Sequence, residues 1–209
     1  MPTQVHDFAA LGALEPAFAR ALARFGEPQP LAGSDDPDGV SRYARLTRSI
    51  VSQQLSVKAA QTIHGRLLAL LGGENTPAVL LEQTDEDLRA VGMSGAKVKA
   101  VRGIATAVQD GTIDLNALDA MSEDDTSAAL VSLPGVGPWT AHMFLMFVLH
   151  RPDVMAEGDV GVQNGIRAIF ELEVRPTPKE LLVMAEPWSP HRSAACRLAW
   201  HVLNATPIG

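Results

Sequence analysis

The sequence predicts an all-α protein. Apolar residues recur at helical spacing along most of its length, strand-like alternation is almost absent, and about ten helical segments are joined by short connections. In chain order, Pro16–Phe25 reads as a short amphipathic helix closed by Gly26, and Glu27–Asp38, rich in Pro, Gly and Asp, as a loop. Val40–Gln53 places Val40, Tyr43, Ala44, Thr47, Ile50 and Val51 on one face. Ser56 caps a helix that reaches Leu71 and stops at Gly72-Gly73. Asp85–Val91 is a short helix, and Ser94 caps another that runs to about Asp110. Ser122, with Asp125 three residues on, resembles a capping box and starts Ser122–Val131. Pro138 suits the first position of Pro138–Leu149. Asp159–Phe170, Pro178–Ala185 and Pro190–Leu203 complete the set. No internal repeat and no low-complexity tract interrupts it.

Size and composition narrow the function. The chain has 209 residues, enough for one domain or two packed lobes, and its 46% apolar content excludes wholesale disorder. No apolar run approaches a membrane span, and the N-terminus lacks the pattern of a signal peptide. Cytoplasmic location is therefore the expectation. A single cysteine, Cys196, excludes an intramolecular disulfide framework, a cysteine zinc site and a four-cysteine iron–sulfur cluster. The six histidines show no metal-ligand grouping.

The net charge of −7 argues against nucleic acid only as a total. No acid lies between Asp38 and Glu74, where Arg42, Arg45, Arg48, Lys58 and Arg66 occur. None lies between Asp87 and Asp110 either, a stretch that holds Arg89, Lys97, Lys99 and Arg102. Local potential governs phosphate contact, although each of these bases also suits a solvated helix face.

Leu133-Pro-Gly-Val-Gly is a tight turn that leads into a helix N-terminus. Such a turn presents backbone N–H groups to an anion, and Gly135 and Gly137 let a phosphate approach where a Cβ would obstruct it. Val136 and the Thr140 hydroxyl join these as phosphate-binding candidates. An ordinary interhelical turn would use the same residues. About twenty residues later Asp159 precedes a helix, where it suits an N-cap as well as a catalytic carboxylate.

Leu133-Pro-Gly-Val-Gly-Pro-Trp-Thr-Ala followed by Gly158-Asp-Val-Gly-Val resembles the helix–hairpin–helix, Gly/Pro-rich loop and aspartate of one superfamily of base-excision DNA glycosylases. Within it, the chain is most similar to the 3-methyladenine DNA glycosylase II (AlkA-like) branch. Ile50-Val-Ser-Gln-Gln-Leu-Ser-Val-Lys-Ala-Ala resembles that branch's segment at the lesion, and Pro187–Ala195 with Leu198-Ala-Trp200 resembles its C-terminal helix. The four blocks lie in order over residues 45–203.

The resemblance implies a two-lobed helical fold with its active-site cleft between the lobes. A central lobe over 41–152 would carry the hairpin, and 1–40 with 153–209 would form the second. It implies a monofunctional glycosylase that releases alkylated purines from damaged double-stranded DNA by hydrolysis, as a monomer with no membrane partner. Asp159 would face the sugar and stabilise its developing positive charge. Trp139 stands where strand-nicking relatives carry a lysine nucleophile, so an abasic site is the expected product. Trp139, Tyr43, Phe144 and Trp188 are candidates for the base pocket, although aromatics at helical spacing also serve cores. Gln53, Gln54 and Leu55 match the wedge that fills the vacated stack, with Gln54 or Leu55 inserting. No cofactor is required, though the carbonyls of Leu133 and Val136 are candidates for holding a monovalent cation (Na⁺ or K⁺) against the hairpin. Two readings stay beside this one: a non-catalytic helix–hairpin–helix module that binds DNA, and a monofunctional glycosylase for oxidised or deaminated bases.

Overall fold

In a computed structural model, which describes residues 7–29 and 41–205, twelve α-helices and two short 3-10 turns make up the regular structure, with no strand among the described residues. The loop expected over Glu27–Asp38 lies outside the described residues from position 30 onward, as does Val40. None of the described helices is long and apolar enough to cross a membrane. The chain divides into two compact units. One extends from Asp36 to Phe144, and the other joins the N-terminal segment up to Asp35 with Leu145 onward.

The 36–144 unit contains α3 (Arg42–Ser52), α4 (Val57–Leu70), α5 (Pro77–Glu82), α6 (Asp85–Ala90), α7 (Gly95–Gln109), α8 (Glu123–Val131) and most of α9 (Pro138–Phe147). Hydroxyl caps start the helices where the sequence puts them. Ser56, Ser94 and Ser122 each accept the backbone N–H three residues on, at 3.3, 3.3 and 3.1 Å. The Ser122–Asp125 box is partly formed: the Ser122 hydroxyl also donates to the Asp125 carboxylate at 2.7 Å. Helix α7 is central, burying Val98, Val101, Ile104 and Ala105 against α3, α5 and α6. Arg42 anchors the start of α3, donating to the Leu115 carbonyl at 2.9 Å and pairing with Asp119 at 2.6 Å.

The second unit contains α1 (Phe8–Leu14), α2 (Pro16–Phe25), α10 (Val160–Ile169), α11 (Pro178–Ala185) and α12 (Arg192–Asn204). Its core includes an aromatic cluster in which Phe18 meets Phe170 and Trp188 edge-on, at 5.2 and 5.0 Å, and Trp188 stacks on Phe170 at 5.5 Å. Helices α10 and α12 pack closely because small residues face each other. A Cβ on Gly165 would run into the Ala199 backbone carbonyl.

Helices α1 and α5 are additions to the sequence reading. Both are short, and neither presents more than two turns of periodicity for a sequence pattern to register. At the C-terminal end, the expected Pro190 start shifts to Arg192, because a 3-10 turn over Glu186–Trp188 and a cis Ser189–Pro190 bond precede the helix.

Candidate active site

Asp159 is the N-cap of α10, and its Oδ1 accepts the Val162 N–H at 2.7 Å. The same oxygen accepts the Trp200 indole N–H at 2.9 Å. The expected N-cap is thus formed, and it both orients the carboxylate and sets it at the positive end of a helix. Trp200 reaches it from α12, its ring tilted against Phe147 at 6.0 Å. Gly161 makes room for this arrangement, since a Cβ there would lie 2.9 Å from the Asp159 oxygen and 3.0 Å from the indole.

Side chains of α12 suture the segment leading to Asp159. Arg192 grips Asp153 through both carboxylate oxygens at 2.8 and 2.7 Å, and the Ser189 hydroxyl donates to the same group at 2.7 Å. Burial works against this carboxylate's ionisation, yet these bonds hold Asp153 below the usual carboxylate range. The Ser193 hydroxyl accepts the Val154 N–H at 2.9 Å and donates to the Arg151 carbonyl at 2.7 Å. The Cys196 sulfur accepts the Ala156 N–H at 3.4 Å, and burial pushes this thiol up to about 12, which makes it a structural residue and not a nucleophile. The Gln163 amide, from α10, donates to the Glu157 carbonyl at 2.7 Å. Sequence reasoning missed Ser193 and Cys196 as supports, because partners 39 and 40 residues away leave no local pattern, and it missed Gln163, whose partner Glu157 lies only six residues back.

In the other unit the hairpin turn and the Gln53–Leu55 loop come together. Gly135 takes a φ of +78°, and a Cβ on it would lie 2.6 Å from the Ala100 side chain, so a larger residue is excluded both by backbone conformation and by α7. Leu133 and Val136 are buried beneath the turn. The Val136 N–H, expected among the phosphate donors, turns back onto the Leu133 carbonyl at 3.2 Å. Thr140 is buried, and its hydroxyl oxygen accepts the Gln53 amide at 3.0 Å.

Gln53, the first residue of the expected wedge segment, is half-buried, and its amide reaches the Gly135 carbonyl at 3.1 Å as well as Thr140. Gln54 and Leu55 form the exposed tip, with Gln54 at a φ of +56°. Lys97 is committed here rather than to a phosphate. Its ammonium donates to the Val51 and Gln53 carbonyls at 2.7 and 2.8 Å, and burial lowers its pKa.

Of the four aromatics expected at a base pocket, only Trp139 presents its ring, at 48% exposure. Tyr43, Phe144 and Trp188 are buried at 4, 2 and 2%. Trp188 belongs to the Phe18–Phe170 cluster, and burial pushes the Tyr43 phenol up to about 12. In these three the packing role prevails, because aromatic side chains at helical spacing on an apolar face bury large surfaces.

Among the described residues, no group of three His, Cys, Asp or Glu could hold a metal ion. The hairpin carbonyls are donors of the kind a hard monovalent cation accepts. The Leu133 oxygen already receives one N–H and keeps its second lone pair, and the Val136 oxygen belongs to the same turn. A cavity of about 650 Å³ lined by Leu172, Val174, Arg175, Lys179 and Val183 includes none of these residues.

The model of the HhH-GPD superfamily of base excision DNA repair proteins matches residues 47–190, from the Gln53–Leu55 loop through the hairpin and Asp159. The chain belongs to that family. A Schizosaccharomyces pombe relative named DNA-3-methyladenine glycosylase 1 is 34% identical over 161 residues, which cover 76% of this chain and 71% of the relative. A Bacillus subtilis relative is 30% identical over 171 residues, and the chain spans 60% of its length. Among solved structures, the S. pombe 3-methyladenine DNA glycosylase in complex with abasic DNA superposes with a TM-score of 0.80 at 31% identity, covering 92% of this chain and 94% of that one. The Bacillus halodurans DNA-3-methyladenine glycosidase gives 0.76, also at 31% identity, with 91% and 86% covered.

Proposed function

We propose that the chain is a monofunctional DNA glycosylase that hydrolyses the N-glycosidic bond of alkylated purines of the 3-methyladenine type in duplex DNA, as a cytoplasmic monomer in base excision repair. The observation that carries this reading is the fixed Asp159 carboxylate, held through Oδ1 by the Val162 N–H and the Trp200 indole. Breaking the bond builds positive charge on the deoxyribose, and a carboxylate locked in place before reaction stabilises that charge without reorganising. It is also placed to orient a water or take its proton. N-alkylation at purine N3 or N7 puts positive charge on the base, so the leaving group is already activated and little further acid catalysis is needed.

The remaining parts have matching tasks. The amides of the hairpin turn hold the DNA backbone without reading sequence. Gln54 and Leu55, exposed at their loop tip, fill the gap left by the flipped nucleotide. The exposed Trp139 face attracts a cationic base by roughly 0.5–2 kcal/mol. Its indole offers no amine for a Schiff base, so the strand is not nicked. The chemistry needs no redox cofactor. A monovalent cation bound at the Leu133 and Val136 carbonyls would add positive charge beside the phosphate.

The test is a screen of purified protein on duplexes that each carry one modified base. Release of 3-methyladenine or 7-methylguanine, with strand breaks appearing only after alkali, supports the reading. Release confined to oxidised or deaminated bases moves the substrate class, and no release from any duplex leaves a non-catalytic binding module.

A further inference from the structure

Gln54 lies in the left-handed region at φ +56°, which side chains other than Gly, Asn and Asp adopt reluctantly. Such a conformation persists where its surroundings over-determine it. Here two side chains do so from opposite directions. Lys97, from the first turn of α7, donates to the carbonyls of Val51 and Gln53, the orphan acceptors at the C-terminal end of α3. Gln53 in turn donates to the Gly135 carbonyl and the Thr140 hydroxyl, tying the loop to the hairpin turn and the first turn of α9. A chain of hydrogen bonds therefore runs from α7 through the loop to the hairpin, immediately beside the exposed Gln54 and Leu55.

We propose that Lys97 and Gln53 are positioning residues that form a strut, holding the Gln54–Leu55 tip in its inserting conformation and in fixed register with the phosphate-holding turn. The inference rests on the glycosylase reading and extends it to two residues whose side chains donate to protein acceptors of the loop, the hairpin turn and Thr140. Its physical content is preorganisation. A tip already shaped for the gap does not lose conformational freedom when it enters the stack. Lys97 is thereby assigned to the loop backbone, although its place in an acid-free stretch suggested phosphate contact.

The strut matters in proportion to how firmly the target base is stacked and paired, which sets the test. Lys97→Met and Gln53→Met keep side-chain length and remove the donors. Single-turnover release of 7-methylguanine is measured when the base is paired with cytosine and when it lies opposite an abasic gap, where flipping is easier. The strut predicts a loss of about 10–30-fold on the paired lesion and less than about 3-fold on the unpaired one, with Lys97→Arg recovering most of the paired rate. In parallel, 2-aminopurine beside an abasic-site analogue reports tip insertion on binding, without chemistry. The variants should show less than half the wild-type fluorescence change at saturating protein. An equal loss on both lesions, or none on either, overturns the strut. If wild-type protein releases no alkylated base, the glycosylase reading fails instead, and the fluorescence arm still decides the strut.

Discussion

At the scale of single residues, the site is defined by what holds the Asp159 carboxylate. Trp200 is the least replaceable of these groups, because its indole N–H supplies a hydrogen bond to an acceptor that also takes the helix N–H. Trp200→Phe keeps the packing on Phe147 and deletes that donor. A hydrogen bond to a charged group contributes about 1.5–3 kcal/mol, so single-turnover base release should fall about 10–100-fold. Thermal stability should change little by comparison, and a calorimetric scan beside the rate measurement separates the two effects. Trp139 illustrates the opposite case. It follows the hairpin turn and is 48% exposed, so as a base-pocket candidate it differs from the three buried aromatics. For Tyr43, Phe144 and Trp188 the sequence could not distinguish a pocket wall from a core residue, because both are apolar positions on a helix face.

At the scale of elements, the contact between α10 and α12 couples fold and site. Two glycines on α10 do different work. Gly165 lies against backbone, and a Cβ there meets the Ala199 carbonyl, which no rotamer change relieves. Gly165→Ala should therefore destabilise the protein by about 2–4 kcal/mol, read as a fall in urea midpoint. Gly161 faces the Asp159 and Trp200 side chains at 2.9–3.0 Å, which can shift. Gly161→Ala should leave the midpoint nearly intact and lower the rate of base release about 10-fold. Helix starts were legible from single residues, because a Ser or Asp cap acts over three positions: Ser56, Ser94, Ser122 and Asp159 all appear where expected. The Gln53 tie to Gly135 and the Ser193 and Cys196 sutures were not legible. Their partners lie 82, 39 and 40 residues away, and nothing in local composition announces them.

At the scale of the whole molecule, helical periodicity and the ordered hairpin, aspartate and Gln-Gln-Leu blocks were enough to reach the family, while the stitching of the Asp159 segment required three dimensions. That stitching also has a pH signature. Asp153 is held below the ordinary carboxylate range in the fold, chiefly by Arg192 against the opposing effect of burial. Its contribution is present above the unfolded-state pKa and is lost as pH falls through the lowered folded value. Asp153→Asn should therefore lower the neutral-pH stability by about 1–3 kcal/mol and flatten the acid limb of the stability curve, measured as thermal midpoint between pH 3 and 7. The central claim concerns chemistry, and Asp159→Asn addresses it most directly. The amide keeps an oxygen for the cap and removes the charge. Single-turnover release of 3-methyladenine should drop on the order of 10²–10³-fold or more while duplex affinity stays within about 3-fold of wild type. Release at near the wild-type rate would contradict the account.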